Sequence, residues 1–119
     1  MYALNQYQAL EENERFISSK FCLCSIPAFV LIDIGASYSF ISTRFVKRHW
    51  LSYVSLDVVL SVSTQIGHLA LAKQQVIGCP LEFEGNELIA NLMILAMEDS
   101  DCVLGLDLLT TYRAQMDCY

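Results

Sequence analysis

Apolar and polar residues change rhythm several times along this chain. In KFCLCSIPAFVLID, residues 20–33, Phe21, Leu23 and Ser25 alternate with Cys22, Cys24 and Ile26, and an unbroken apolar run then covers residues 29–32. Alternation marks a half-buried strand and a short continuous run a fully buried one. Two short strands are therefore predicted, joined at residues 25–27, with Pro27 at a bulge-like position. After Gly35, Ala36 and Ser37, the stretch FISTRFVKRHW puts Phe40, Ile41, Phe45 and His49 near one helical face. A short helix over 40–50 follows, with Ser37 or Ser39 as N-cap and Lys47 and Arg48 in the last turn, where cations suit the helix dipole. Period-two alternation at Val58, Leu60, Val62 and Thr64, then Gln65-Ile66-Gly67 and HLALAKQQV, predicts a β-hairpin with Gly67 near its tip. CPLEFEG and LIANLMILAM, joined through Asn86, predict a second hairpin with Leu81, Phe83 and Leu88 facing a core. The tail VLGLDLLTTYRAQMDCY breaks at Gly105, spaces Leu106, Leu108, Leu109 and Tyr112 as a helix does, and is expected to end in a short strand around residues 115–118. Residues 1–19, polar and acidic with Glu11, Glu12 and Glu14, read as a linker or arm, leaving 20–119 as one β-rich domain.

Composition sharpens this picture. A chain of 119 residues holds a single core. Its 55 % hydrophobic and 17 % charged residues imply apolar surface covered by a partner, hence an oligomer or a piece of something larger. The net charge of −6, with only 7 Lys and Arg and one basic knot at Arg44, Lys47 and Arg48, argues against a nucleic-acid or anionic-membrane surface. Five cysteines cannot all pair within the chain, and Cys22-Leu23-Cys24 lacks the spacing of a zinc knuckle. The expectation is small buried hydrophobes in a reducing, intracellular compartment. MYALNQYQALEENER lacks a basic segment followed by an apolar one, so no secretory signal is expected. LIANLMILAM is about half the ~20 residues a membrane span needs. His49 and His68 have no Cys or carboxylate at ligand spacing, so neither a metal nor a cofactor is expected.

The candidate chemistry lies in FVLIDIGASYSF. Asp33 ends a buried strand and enters a Gly-containing turn, where a carboxylate is desolvated unless donors surround it. The backbone N–H groups of Gly35 and Ala36 are the available ones. An apolar pair, Gly, a turn and a short helix occur at VLIDIGAS and again at CVLGLDLL, which suggests two similar half-units about a pseudo-symmetric core. The segment Asp33-Ile34-Gly35-Ala36-Ser37, the stretch FISTRFVKRHW behind it and VLGLDLL near the end together resemble the retropepsin-like aspartic proteases, most closely those of plant Ty3/gypsy long-terminal-repeat retrotransposons. The likeness spans about residues 20–119 and is specific in the order of its parts, since D-x-G alone is a weak signal.

This resemblance implies a closed acid-protease β-barrel with one or two short helices, working as half of a two-fold homodimer on polypeptide substrates within a Gag-Pol polyprotein, in the cytoplasm or a virus-like particle. It implies Asp33 as the catalytic acid, with Ile34, Gly35, Ala36 and Ser37 forming the active-site loop. Thr64, Gln65, Ile66 and Gly67 would form the flap that closes over a bound peptide, and Leu104 and Gly105 would pack beneath the loop. The chemistry takes two carboxylates, one activating water as general base and one, protonated, polarising the scissile carbonyl. Asp57, Asp99, Asp101, Asp107 and Asp117 all lack a Gly two residues on, so the second loop must come from another copy of the chain.

One position departs from the family pattern. Active members usually carry Thr or Ser between Asp and Gly, with a hydroxyl that bonds across the dimer axis, and Ile34 has none. A buried partner left unsatisfied costs roughly 1–3 kcal/mol, felt twice by symmetry. Two functions from different classes therefore stand side by side: an aspartic endopeptidase, and a catalytically impaired dimerisation or peptide-binding module that keeps the fold. A serine hydrolase built on Ser37 or Ser39 lacks an evident His partner, and an apolar-ligand barrel needs a cavity that a chain this short barely permits.

Overall fold

The computed structural model of the protein describes residues 15–63 and 69–117. Along the chain run β1 (Arg15–Leu23), β2 (Ile26–Asp33), β3 (Phe40–Ser42), α1 (Thr43–Arg48), β4 (Val54–Ser63), β5 (Leu69–Phe83), β6 (Asn86–Leu95), β7 (Cys102–Leu104) and α2 (Leu106–Asp117). The strands are ordered β1-β2-β7-β3-β6-β5-β4, and β1 also pairs with β5. That added pairing closes six strands into the mainly-β barrel expected, with β4 attached outside the ring along β5. Strand β5 can serve both purposes because it is 15 residues long. Its first half pairs with β4, its second half with β6, and its last residues meet β1 at Phe21↔Phe83, where the rings stack with centroids 4.3 Å apart.

Tight turns set the register of the barrel. Cys24 and Ser25 between β1 and β2, and Glu84 and Gly85 between β5 and β6, all have positive φ. Two successive positive-φ residues give the turn whose twist matches that of the flanking strands.

Side chains of the central strands are buried on both faces, which is why their sequences read as continuous apolar runs. Val30 and Ile32 of β2, Leu92 and Ile94 of β6, and Cys102 and Leu104 of β7 enter one core, which α2 covers with Leu108, Leu109 and Tyr112. Their neighbours Leu31, Met93, Leu95 and Val103, joined by Phe40 and Ala72, form a second core on the opposite face. Such alternation follows from the two-residue period of a strand, and each fully buried Val, Leu or Ile contributes about 1.5–3 kcal/mol.

Several elements differ from their sequence-based expectation. Residues 40–42 are not helical: Phe40, Ile41 and Ser42 are all buried in β3, between β6 and β7, and the helix starts only at Thr43. Sheet burial on both faces overrides the helical spacing of those residues. The N-cap is accordingly Ser42, whose Oγ accepts from the Phe45 amide at 3.0 Å, and neither Ser37 nor Ser39. HLALAKQQV and CPLEFEG are one strand, β5, whose register shifts between Val76 and Cys79, where Gly78 has φ +69°. No strand forms at 115–117, because α2 continues through Asp117 with neither Gly nor Pro to stop it. β1 begins at Arg15, inside the segment expected as an arm, and pairs there with the end of β2.

Candidate active site

Strand β2 carries Asp33 to the end of the barrel. Its parallel pairing with β7 ends at Ile32↔Leu104, so on that side the chain leaves the ladder at Asp33. The residue is 7 % exposed, and its Oδ1 accepts the Gly35 amide at 2.9 Å. Short polar side chains that bond to the backbone two residues on stabilise such turns, and an ionised acceptor strengthens the bond. The Ala36 amide goes instead to the Asp33 carbonyl, at 3.1 Å, so only one of the two donors anticipated for the carboxylate bonds to it.

The loop after Asp33 is locked to the start of α2. The first amides of a helix have no partner within it, and here the Leu106 amide donates to the Ala36 carbonyl at 2.8 Å and the Asp107 amide to the Ser37 carbonyl at 3.2 Å. A Cβ on Gly105 would lie 2.7 Å from the Ala36 carbonyl oxygen and would run into that of Tyr38. Only glycine allows this approach. Ser39, 1 % exposed, completes the join: its Oγ accepts the Gly105 amide at 2.9 Å and donates to Asp107 Oδ1 at 2.6 Å. Both echoing segments, VLIDIGAS and CVLGLDLL, meet at this point. They lie side by side as parallel strands with Val30 opposite Cys102, Leu31 opposite Val103 and Ile32 opposite Leu104.

Beside Asp33 opens a cleft of about 510 Å³, lined by the loop residues Gly35, Ala36, Ser37 and Tyr38, by Leu31, Phe40 and Val103 of the second core, and by Leu60, Val62 and Ala70 of the β4–β5 hairpin. Met97, Glu98 and Asp99 form part of its rim. The site thus combines one buried carboxylate, a fixed polar loop and a mostly apolar wall, as suits the binding of an extended chain with apolar side chains. Among the described residues no cluster of three or more His, Cys, Asp and Glu is placed to hold a metal ion.

Of the residues singled out in sequence, the structure gathers Asp33, Gly35, Ala36 and Ser37 at the cleft. Ile34 is half-buried in the loop and is not part of the cleft lining. Leu104 is buried in the core under the loop, and Gly105 touches the loop itself. Thr64, Gln65, Ile66 and Gly67 lie outside the described residues. Sequence reasoning named Ser39 as a cap or nucleophile candidate and Asp107 as an acid without a Gly two residues on, and did not connect them. Their link spans 68 positions, and no local pattern signals it.

Comparison with known proteins bears on the fold and the family. The fold is similar to that of the EIAV protease, solved in complex with the inhibitor HBY-793, at a TM-score of 0.66 and 16 % identity, over 90 % of this chain and 94 % of that one. It is also similar to the retroviral protease-like domain of Ddi1 from Leishmania major, at a TM-score of 0.58 and 14 % identity, over 83 % of this chain and 76 % of that one. At such identities the likeness is one of fold. No curated protein sequence matches the chain. The family profile described as retroviral aspartyl protease matches residues 1–119, the whole sequence, and the chain therefore belongs to the retroviral aspartyl protease family.

Proposed function

We propose that the chain is the aspartic endopeptidase domain of a Gag-Pol polyprotein from a plant Ty3/gypsy-type retrotransposon, acting inside the cell or in a virus-like particle as a two-fold homodimer. The observation that carries this reading is the placement of Asp33: a carboxylate buried at the end of a barrel strand, held by the Gly35 amide and bordering an apolar cleft. The sequence has one D-x-G, so each copy brings one acid to the shared site. Two carboxylates about 3 Å apart cannot both ionise, and the pair holds a single proton, as is established for aspartic proteases. The ionised member takes a proton from water as the water oxygen bonds to the scissile carbonyl carbon, while the protonated member donates to the carbonyl oxygen. When the tetrahedral carbon collapses and the C–N bond breaks, one carboxyl returns a proton to the leaving amine nitrogen and the other takes one from a hydroxyl. The Gly35 amide keeps Asp33 oriented through this exchange. Residues 64–67, expected from the sequence as a hairpin tip, would exclude water and bond to the peptide backbone.

A peptidase assay between pH 4 and 7, on a peptide with apolar residues around the scissile bond, tests the reading. Cleavage by the unmodified chain, lost in Asp33→Asn and blocked by a statine-type mimic of the tetrahedral state, is the expected result. A purified dimer that cleaves nothing over that range overturns it.

Ile34 favours a second reading, in which the chain is a dimerisation or peptide-binding module with impaired catalysis. Without a hydroxyl at this position the two loops lose a bond across the axis. Equal cleavage rates for Ile34→Thr and the unmodified chain would remove this alternative.

A further inference from the structure

Away from the cleft, the barrel brings two reactive groups close together. Cys24 Sγ and Cys79 Sγ lie 3.1 Å apart, although 55 positions separate them in sequence. A disulfide bond is about 2.05 Å long, so an approach of about 1 Å would join them.

The backbone brings the two thiols together in a defined way. Cys24 is the first residue of the β1–β2 turn, at φ +52°, and its amide donates to the Pro80 carbonyl at 2.9 Å, extending the β1–β5 ladder by one step beyond Leu23↔Leu81. On β5 the register shift at Gly78, whose amide is held by Asn91 Oδ1 at 3.0 Å, is followed directly by Cys79, 1 % exposed. Both side chains belong to the first core, Cys79 within it and Cys24 packed at its border.

We propose that Cys24 and Cys79 form an oxidation site, which a low-molecular-weight disulfide of the glutathione class converts to an intrachain bridge between the β1–β2 turn and β5. Cys24 is half-buried and can be reached from solvent, so its thiolate attacks first. It displaces one reagent thiolate and leaves a mixed disulfide on Cys24. Cys79 then gives up its proton and attacks Cys24 Sγ, displacing the second reagent thiolate. Two protein thiols are oxidised by two electrons, and one reagent disulfide is reduced to two thiols. Burial pushes the Cys79 thiol up to about 12, which keeps it from reacting with outside reagents and makes the second step faster as pH rises. The bridge would staple the seam where β1 closes the barrel onto β5, and it encloses the segment that carries Asp33.

The test treats the full chain with oxidised glutathione, blocks remaining thiols with an alkylating agent at acid pH, and maps the peptides without reduction. The expected result is a Cys24–Cys79 cross-linked peptide, with two of the five thiols consumed, and a Tm roughly 10 °C higher that a dithiol reductant reverses. Cys22→Ser should retain both effects, and Cys24→Ser should lose both. Because the map on the unmodified chain decides the matter, a variant that folds poorly does not affect the outcome. A bridge that uses Cys22 or Cys102, a glutathione adduct on Cys24 that never resolves, or no reaction at all would each overturn the proposal.

Discussion

Ser39 donates to Asp107 Oδ1 at 2.6 Å and accepts the Gly105 amide at 2.9 Å, which ties the loop after Asp33 to the first turn of α2. Ser39→Ala leaves the buried Gly105 amide without its partner. The expected loss is about 1–3 kcal/mol, measured as a lower urea midpoint at constant slope. Asp107→Ala removes the other half of the link, together with the bond that Asp107 Oδ1 accepts from the exposed Leu108 amide at 2.7 Å, and is expected to cost less, since Ser39 still accepts from Gly105.

Gly105→Ala puts a methyl group against the carbonyls of Tyr38 and Ala36, which are backbone and cannot turn away. Overpacking of this kind costs about 1–3 kcal/mol, and more where the neighbours are rigid. Thermal unfolding should show a larger drop than for Ser39→Ala. Any cleavage activity should fall with it, because the same contact sets the loop.

Asp33→Asn separates chemistry from fold. The amide oxygen can still accept from Gly35, so the unfolding midpoint should stay near that of the parent chain. The rate should fall by at least about 10²–10⁴-fold, the usual share of positioned acid–base catalysis. A stable Asp33→Asn variant with parental activity would remove Asp33 from the mechanism.

Ile34→Thr restores a hydroxyl at the position facing the two-fold axis in the proposed dimer. A hydrogen bond contributes about 0.5–1.5 kcal/mol net, and symmetry makes two. Sedimentation should therefore show dimer dissociation weakened by about tenfold or more.

Alkaline pH should destabilise the fold through its buried thiols. Burial raises the Cys79 thiol to about 12 and pushes Cys102 up as well. Both stay neutral in the folded chain while their unfolded counterparts ionise near pH ~8.5. The unfolded state then binds fewer protons, so stability is whole below about pH 8.5 and declines as pH rises from there toward 12. Each such thiol contributes a slope of about 1.4 kcal/mol per pH unit. Urea midpoints measured from about pH 7 to 10.5 under reducing conditions should fall, and Cys102→Ala should flatten the decline.

Much of this protein was legible in order along the chain. The apolar run ending in Asp33, the Gly two residues later and the second apolar run before Gly105 marked the candidate site and the fold family through the order of the parts, which is more specific than D-x-G alone. Local pattern read less well wherever the chain is buried on two sides. Phe40 and Ile41 fit a helical face in sequence but lie, with Ser42, in a strand, since β6 and β7 supply hydrogen-bond partners that no local preference can match.

What the sequence by itself determined is the β-rich character of the chain, most of its strands and the candidate acid at a strand end, through periodicity, turn residues and one D-x-G. The tertiary structure alone decided how those pieces touch: β1 closing onto β5, Gly105 lying under the Ala36 and Tyr38 carbonyls, Ser39 reaching Asp107, and Cys24 meeting Cys79. The physical reason is range. Hydrophobic rhythm and turn preference act over a few residues, whereas these contacts join positions tens of residues apart and exist only once the barrel has closed.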